Sequence, residues 1–346
     1  MVKASVIWLN YNSMKFIDIV LESLESFLNL NFDDYEIIIV DNASSDGSFE
    51  IIKNNIIENK RNVKVKIIRN ERNLGYTGGM NRGWEARDPD SKYVAFVNND
   101  LIATPESLSK LVECLESESD VGACSGLIYF GDGKTIYSAG GWVDETWIAS
   151  GICMGFSRND CPNIDKEYYA TYADGAYSAV KAEIIRKVMP HGKPFFDETF
   201  LYLDDYLLGI VLWNKGFKVK YVPYETGSHF HGLTIGELVS FYKYRAHIAL
   251  SYLVSTRYSF IRKMLMLERQ MYRLLSETKW RAVREGIILG KSLVKKLGKL
   301  NLYCAPYLST PLLNAISLLL PKWSSNRPIE KKVDPNVLSY RLEECK

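Results

Sequence analysis

The chain of 346 residues is long enough for one large domain, or two of ordinary size, with a well-buried core. Its composition is 47% hydrophobic and 24% charged with 11 prolines, and it holds no low-complexity tract or solenoid-like period, which excludes disordered, collagen-like and repeat architectures. The net charge of +2 hides an asymmetry: residues 1–239 carry 23 Lys+Arg against 34 Asp+Glu, residues 240–346 carry 20 against 7, and the two parts are therefore expected to meet different partners.

Met1-Val2-Lys3 leads straight into Ala4-Ser5-Val6-Ile7-Trp8-Leu9, too short a run for a signal-peptide core and without a small-residue cleavage site, so it reads as a first strand of a cytosolic protein. Phe16 to Leu28 has apolar residues at helical spacing, YEIIIV is a buried strand, Ser48 to Ile57 a helix, VKVKII a strand, Gly79 to Arg87 a helix and YVAFV the next strand. This β-α-β alternation predicts an α/β fold, a Rossmann-like, doubly wound and largely parallel sheet. Ligands of such sheets bind beyond the carboxyl ends of the strands. Polar clusters stand at four of those ends: Asn10-Tyr11-Asn12, Asp41 to Gly47, Asn70 to Asn73, and Asn98-Asn99-Asp100. Each alone is an ordinary turn. Together on one edge they favour a nucleotide or phosphate site.

Past residue 105 helices thin out. Pro105 to Leu115 is a helix with Thr104 as its cap, Gly131-Asp132-Gly133 turns a hairpin, and residues 157–167 form a polar loop read as a mobile lid. A strand and helix follow between Tyr168 and Ile185, then a turn, a helix starting near Asp204 and a strand. Six cysteines (Cys114, Cys124, Cys153, Cys161, Cys304, Cys345) form no C-x-x-C pair and read as mostly buried free thiols.

Moving a group from a nucleotide diphosphate requires positive charge against the leaving diphosphate, oxygen ligands for a hard cation, often joined by a histidine when the cation is manganese, and a base for the acceptor hydroxyl. The strings VDNASSDGS (40–48), NLGYTGGMNRG (73–83), FVNND (96–100), FFDETFLYLDD (195–205) and VPYETGSHFHG (222–232), in this order and spacing, resemble glycosyltransferase family 2, inverting enzymes of GT-A fold, and most closely its rhamnosyltransferase-like branch. The resemblance covers residues 4 to about 250. It implies a nucleotide-sugar donor (UDP-, dTDP- or GDP-sugar), a divalent cation (Mn2+ or Mg2+) and a hydroxyl acceptor such as a glycan or lipid-linked glycan.

Carried over by position, Asn10 and Tyr11 look like residues beside the nucleobase and Asp41 like the carboxylate that reads its edge, with Asp46 supporting the loop. Capping of the next helix is an equally compatible role for both acids. In NLGYTGGMNRG the glycines let backbone approach a ligand, and the family's layout puts Gly79 and Asn81 beside the donor. FVNND takes the place of the family's D-x-D triplet: Asp100 aligns with the metal-binding carboxylate and Asn99 with the residue near the ribose. Asparagine at the first two positions departs from the acidic pattern and leaves the cation more dependent on the donor. Asp204 and Asp205 resemble the acid pair whose second member is the general base, although both also suit a helix start. A like-charged neighbour is expected to raise the pKa of the base. His229 and His231 fall where the family places a metal ligand, His229 ahead on spacing. Trp142, Trp147, Tyr168, Tyr169, Tyr172 and Asp174-Gly175-Ala176 line the acceptor side if that layout holds, and are core if it does not.

Residues 257–299 carry 12 Lys+Arg and 3 acids among apolar residues at helical spacing, including Leu265, Leu267, Met271, Leu274 and Leu275. The apolar stretch Tyr307 to Leu320, closed by Pro321 and Trp323, is too short to span a bilayer. Residues 257–323 thus read either as an interfacial anchor at the inner face of the cell membrane or as a bundle packed on the catalytic domain. No motif supports nucleic acid as partner. The expected organisation is a catalytic domain over 1–239, with a nucleotide-binding half (1–104) and an acceptor half (105–239), and a basic helical region over 240–346. A sugar nucleotidyltransferase and a non-catalytic sugar- or lipid-binding relative are the alternatives; the first lacks a basic Gly-rich loop after the first strand.

Overall fold

A computed structural model describes residues 2–58, 63–231, 237–261, 277–311 and 333–339. The apolar positions from Leu265 to Leu275, the apolar run beyond residue 311, Pro321, Trp323 and Cys345 lie outside the described residues.

The first half follows the apolar pattern. Strands β1 (Ala4–Asn10), β2 (Tyr35–Asp41), β3 (Lys64–Arg69) and β4 (Tyr93–Asn98) alternate with α1 (Ile17–Leu28), α2 (Ser48–Glu58) and α3 (Gly75–Ala86). They pair in parallel, with Asn10 beside Asp41 and Asp41 beside Arg69, so the polar ends of β1, β2 and β3 share one edge.

Beyond β4 come β5 (Leu101–Ala103), α4 (Ser107–Ser117), β6 (Val121–Phe130), β7 (Ile136–Ser138), β8 (Gly141–Val143), β9 (Ala149–Gly151), β10 (Tyr168–Tyr169), β11 (Tyr177–Lys181), α5 (Ala182–Val188), α6 (Asp204–Asn214) and β12 (Lys218–His229). The main sheet runs β10-β12-β6-β11-β4-β1-β2-β3. β11 is antiparallel to both β4 and β6, and β12 is parallel to β6. The sheet is therefore mostly parallel with one reversed strand in its middle, the mixed sheet of a GT-A fold. That reversal brings the end of β12 back beside β5, with His229 opposite Leu101.

The glycine-rich stretch is not a loop. Gly75 opens α3, which begins a turn earlier than the apolar spacing predicts. A Cβ on Gly79 would meet Leu9 Cδ1 at 2.5 Å, and one on Gly83 would meet Ile7 Cγ2 at 2.3 Å. Gly79 and Gly83 let a helix lie close on β1, while Gly75 of the same stretch lines the cleft described below.

Thr104 is not the cap of α4 either. Its hydroxyl donates to the Glu225 carbonyl at 2.6 Å and pins the helix start to β12, while the helix has no side-chain cap. The cysteines are paired, contrary to the expectation of free thiols: Cys114 with Cys124, Cys153 with Cys161, and Cys304 is disulfide-bonded as well. Spacing alone does not reveal pairs that only tertiary contact creates.

Two further helices, α7 (Glu237–Leu253) and α8 (Glu277–Leu297), pack on the α6 side of the sheet, where Ala246, Leu250, Leu289 and Leu293 share one core with Ile7, Trp84 and Leu208. Glu145, buried, locks the chain that follows: it accepts from Arg257 Nη2 at 2.7 Å, Thr310 N at 2.8 Å and Tyr303 Oη at 3.0 Å.

Candidate active site

The strand ends open into a cleft of about 430 Å³. Of the residues singled out from the sequence, Tyr11, Asn99, Asp100, Asp204, Asp205, His229 and His231 line it. Asn10, Asp41, Asp46, Gly79 and Asn81 are not among its lining residues, and their contacts explain why.

Asn10 and Asp41 form a buried floor. Asn10 Nδ2 donates to Asp41 Oδ1 at 2.9 Å and reaches Ser44 Oγ at 3.2 Å and Ser48 Oγ at 3.3 Å. Asn10 Oδ1 accepts from Asn99 Nδ2 at 3.1 Å. The second Asp41 oxygen accepts from Ser44 N at 3.0 Å and lies 3.5 Å from Arg69 Nε. Both side chains are fully buried, so in this conformation Asp41 shapes the loop instead of presenting a free edge. Asp46 accepts from Met14 N at 2.7 Å and from Ser48 N and Oγ at 3.1 and 2.6 Å, and these bonds, against its slight burial, lower its pKa.

Asn81, placed beside the donor by resemblance, instead donates to the Phe195 carbonyl and to Asp197 Oδ1, each at 2.7 Å. It fastens the loop that leads to the acid pair. Asn42, which the motif reading passed over, is the second buried node: its Nδ2 donates to the Gly75 carbonyl at 2.8 Å and Asn73 Oδ1 at 3.1 Å, and its Oδ1 accepts from Asn70 Nδ2 at 3.0 Å. The signal for it was its place directly after Asp41, at the end of a parallel strand.

The opposite wall is acidic. Phe200, Tyr202 and Leu203 all have positive φ (60°, 63° and 72°), and this unusual backbone delivers Asp204 and Asp205 into the first turn of α6 at the cleft. Such geometry is costly for residues with side chains and is held only by surrounding packing. Here Leu203 is buried and Thr77 N donates to the Phe200 carbonyl at 3.3 Å. Asp205 accepts from Gly175 N at 3.2 Å and Tyr206 N at 2.8 Å. Asp174 faces the same space and accepts from Ala176 N at 2.9 Å.

Three carboxyls thus crowd one wall. Burial, then the Asp204 and Asp174 carboxylates, hold the Asp205 carboxyl well above its ordinary range. Burial and Asp174 push Asp204 up to about 6. Like charge contributes as expected from the sequence, but enclosure by protein is the larger cause.

Between floor and wall, His229 Nε2 lies 3.0 Å from Asp100 Oδ1 and 3.3 Å from Asn98 Nδ2. His229 is buried with its Nδ1 unpartnered, and Tyr137 packs edge-on against it with ring centres 4.6 Å apart. The His231 ring is 5.4 Å from that of His229. Burial, His229 and Lys243 lower the His231 pKa. Among the described residues no group of three or more His, Cys, Asp or Glu side chains is disposed to hold a metal ion.

Trp142 and Trp147 are core, their indoles donating to the carbonyls of Gly151 (3.2 Å) and Val254 (2.9 Å). Tyr172 is buried as well, whereas Asp174, Gly175 and Ala176 line the cleft. The loop 157–167 contributes no lining residue and is held by an Arg158–Asp165 ion pair and the Cys153–Cys161 bond, so it is not a lid on this cleft.

Comparison with known proteins agrees with this architecture. Residues 5–169 match the profile described as "Glycosyl transferase family 2". Uncharacterized glycosyltransferases of Haemophilus influenzae and Methanocaldococcus jannaschii are 33% and 36% identical over 120 and 112 residues; these stretches cover 34% and 32% of this chain and 34% and 37% of the relatives. The matches thus span about a third of either relative. The mannosyltransferase PcManGT from Pyrobaculum calidifontis, solved with GDP-Man and Mn2+, superposes with a TM-score of 0.52 at 15% identity, covering 92% of this chain and 78% of its own. GalNAc-T7, solved with UDP, GalNAc and Mn2+, gives a TM-score of 0.54 at 13% identity, covering 86% and 56%. At such identities the likeness is one of fold. The stretch that builds the floor and the FVNND turn, residues 5–169, is thus similar to glycosyl transferase family 2 sequences, and the chain that carries it has a GT-A fold.

Proposed function

We propose that the chain is an inverting glycosyltransferase that moves a sugar from a nucleotide diphosphate to a hydroxyl acceptor. The observation that carries the reading is the make-up of one cleft: the Asp204–Asp205 pair faces the same space as Asp100 and His229, and among the described lining residues there is no Lys or Arg. Such a site repels a diphosphate unless a cation enters with it. Asp100 Oδ1 and His229 Nε2, 3.0 Å apart, fit two neighbouring ligands of a single Mn2+ or Mg2+. His231, its ring 5.4 Å from that of His229, is the further candidate ligand, and with only the neutral Asn98 and Asn99 beside them the donor diphosphate must complete the ligand set. A bound cation would supply the positive charge that the departing diphosphate needs.

The remaining steps belong to the chain's own groups. Asp205 takes the acceptor proton as the hydroxyl oxygen bonds to the anomeric carbon and the bond to the diphosphate oxygen breaks. One displacement inverts the anomeric centre. Its raised pKa makes Asp205 a stronger base than an exposed aspartate. Tyr11 and Asn99 stand at the donor end, over the floor set by Asn10 and Asp41 with Asp46 holding its loop. The nucleotides found with structural neighbours, the donor GDP-Man in one and UDP in another, support a nucleotide sugar here. The order of its motifs resembles the rhamnosyltransferase-like branch, and that is the branch we propose. The acceptor we favour is a lipid-linked glycan, with the protein peripheral at the inner face of the cell membrane; among the described residues no helix is long and apolar enough to cross a membrane.

The test is a panel of UDP-, dTDP- and GDP-sugars with and without Mn2+ or Mg2+, scored for donor hydrolysis or transfer. One donor is turned over only with the metal, and Asp205→Asn binds that donor without turning it over. Undiminished turnover by the variant, or binding without turnover across the panel, overturns the reading.

A further inference from the structure

Helix α8 presents two unlike faces. Its inner face, with Ala282, Val283, Leu289 and Leu293 buried, packs on α7. Its outer face carries Trp280, Arg284, Ile288, Lys291 and Lys295, spaced by three or four residues and so aligned along one side of the helix. Every one of these side chains is exposed: Ile288 is 58% and Trp280 40% accessible, so two large apolar groups stand among the cations of one stripe. Among the described residues no acid pairs with Arg284, Lys291 or Lys295. The ion pairs of this helix are made by its flanks, Arg281 with Glu285 and Lys296 with Glu198. Glu277 is the single acid on the stripe, at its first turn.

We propose that this face of α8 docks on an anionic lipid bilayer, with Arg284, Lys291 and Lys295 against the headgroups and Trp280 and Ile288 entering the interfacial zone. A cationic stripe alone suits any polyanion. The interleaved indole and isoleucine suit a surface with an apolar layer beneath the charge, and a nucleic-acid backbone offers none to Ile288. The placement is also useful. Arg281, beside the stripe, stacks over the Phe241 ring of α7 with 4.6 Å to its centre, and the neighbouring Val239 and Tyr242 of α7 line the cleft. The lipid-facing helix therefore adjoins the rim of the cleft, where a membrane-borne acceptor would enter. The inference gives a specific face to the peripheral placement proposed above, and it is scored without donor or acceptor, so its failure leaves the transfer reading untouched.

The full chain is sedimented with vesicles of phosphatidylcholine alone and of phosphatidylcholine with about one-third phosphatidylglycerol, at low salt and at about 0.5 M salt. Wild type partitions onto the anionic vesicles and is largely released by salt. The triple variant Arg284→Glu/Lys291→Glu/Lys295→Glu partitions at least about tenfold less, and Trp280→Ser/Ile288→Ser loses several-fold while keeping the salt dependence. Circular dichroism and the thermal midpoint confirm that both variants fold. Absence of wild-type partition, equal partition onto neutral vesicles, or wild-type behaviour of the folded triple variant overturns the proposal, as does retention by duplex DNA without vesicle binding.

Discussion

The floor and the wall of the cleft are both built from polar groups at element ends, the floor fully buried and Asp204 and Asp205 of the wall partly exposed, and they meet the loss of water in opposite ways. On the floor every donor finds an acceptor: Asn10, Asp41, Ser44 and Ser48 saturate one another, and Asn42 does the same for Asn70, Asn73 and the start of α3. On the wall, Asp174, Asp204 and Asp205 are all acceptors when ionised, and between them they accept only a few backbone amides. A satisfied network rigidifies a fold. Crowded carboxylates cost stability, and the perturbed pKa that results is what a base needs.

The largest effect expected from this contrast is at Asp205. Asp205→Asn keeps the shape and removes the proton acceptor, so turnover falls by about 10²–10⁴-fold, the usual worth of a general base. Steady-state rates with saturating donor and metal measure it. Because the change also relieves a carboxylate enclosed with two others, the variant should melt no lower than wild type at neutral pH. Loss of activity together with loss of stability would put Asp205 on the floor's side of the comparison.

Asp41→Ala is the mirror experiment. It strips partners from Asn10 Nδ2 and Ser44 N inside a fully buried site, and a cost of about 2–4 kcal/mol in unfolding free energy is expected, read from the urea midpoint at constant m-value. An unchanged midpoint would show that the floor is not a structural network. Gly83→Val comes next. Its Cβ would fall 2.3 Å from Ile7 Cγ2, so α3 must lift from β1 at about 1–3 kcal/mol. A neutral result there would restore the glycines to a ligand-facing role.

Most of the parallel half was legible in the sequence, because β1, β2 and β4 are buried on both faces and read as continuous apolar runs, while the half-exposed edge strand β3 still keeps the apolar Val65, Ile67 and Ile68 between its charged ends. The acid pair was legible too, since FFDETFLYLDD ends an aromatic stretch at a helix start. What escaped was set by contacts distant in sequence. Gly79 and Asn81 sit in a motif that looks ligand-facing, yet one meets Leu9 and the other Phe195, and no local pattern encodes either partner. Asp174 was seen only as part of an acceptor-side segment; its role beside Asp205 arises from the β11 reversal, which carries no motif. The cysteine pairs escaped for another reason: Cys114–Cys124 and Cys153–Cys161 are only 10 and 8 residues apart, but no C-x-x-C motif marks them and the folding of α4 against β6 and of the 153–161 loop brings them together.

The smallest effect is the sharpest test of the wall, because its sign reverses what removing a buried polar group usually does. Asp204 has a folded-state pKa of about 6, above the ordinary value of 3.8, so the folded protein holds this proton more tightly than the unfolded chain. Below 3.8 both states are protonated and the side chain costs nothing. As pH rises from there to about 6 the unfolded chain releases its proton first and stability falls; above that the penalty is complete. Asp204→Asn removes the penalty, so it should match wild type near pH 3.5 and exceed it at pH 7 by about 1 kcal/mol after allowance for solvent screening, a degree or two in thermal midpoint for a chain of this size. The same substitution removes one of the charges that raise Asp205, so the rising limb of the transfer rate against pH should move to lower pH. A limb that stays fixed would mean that burial and Asp174 set the base without help from Asp204.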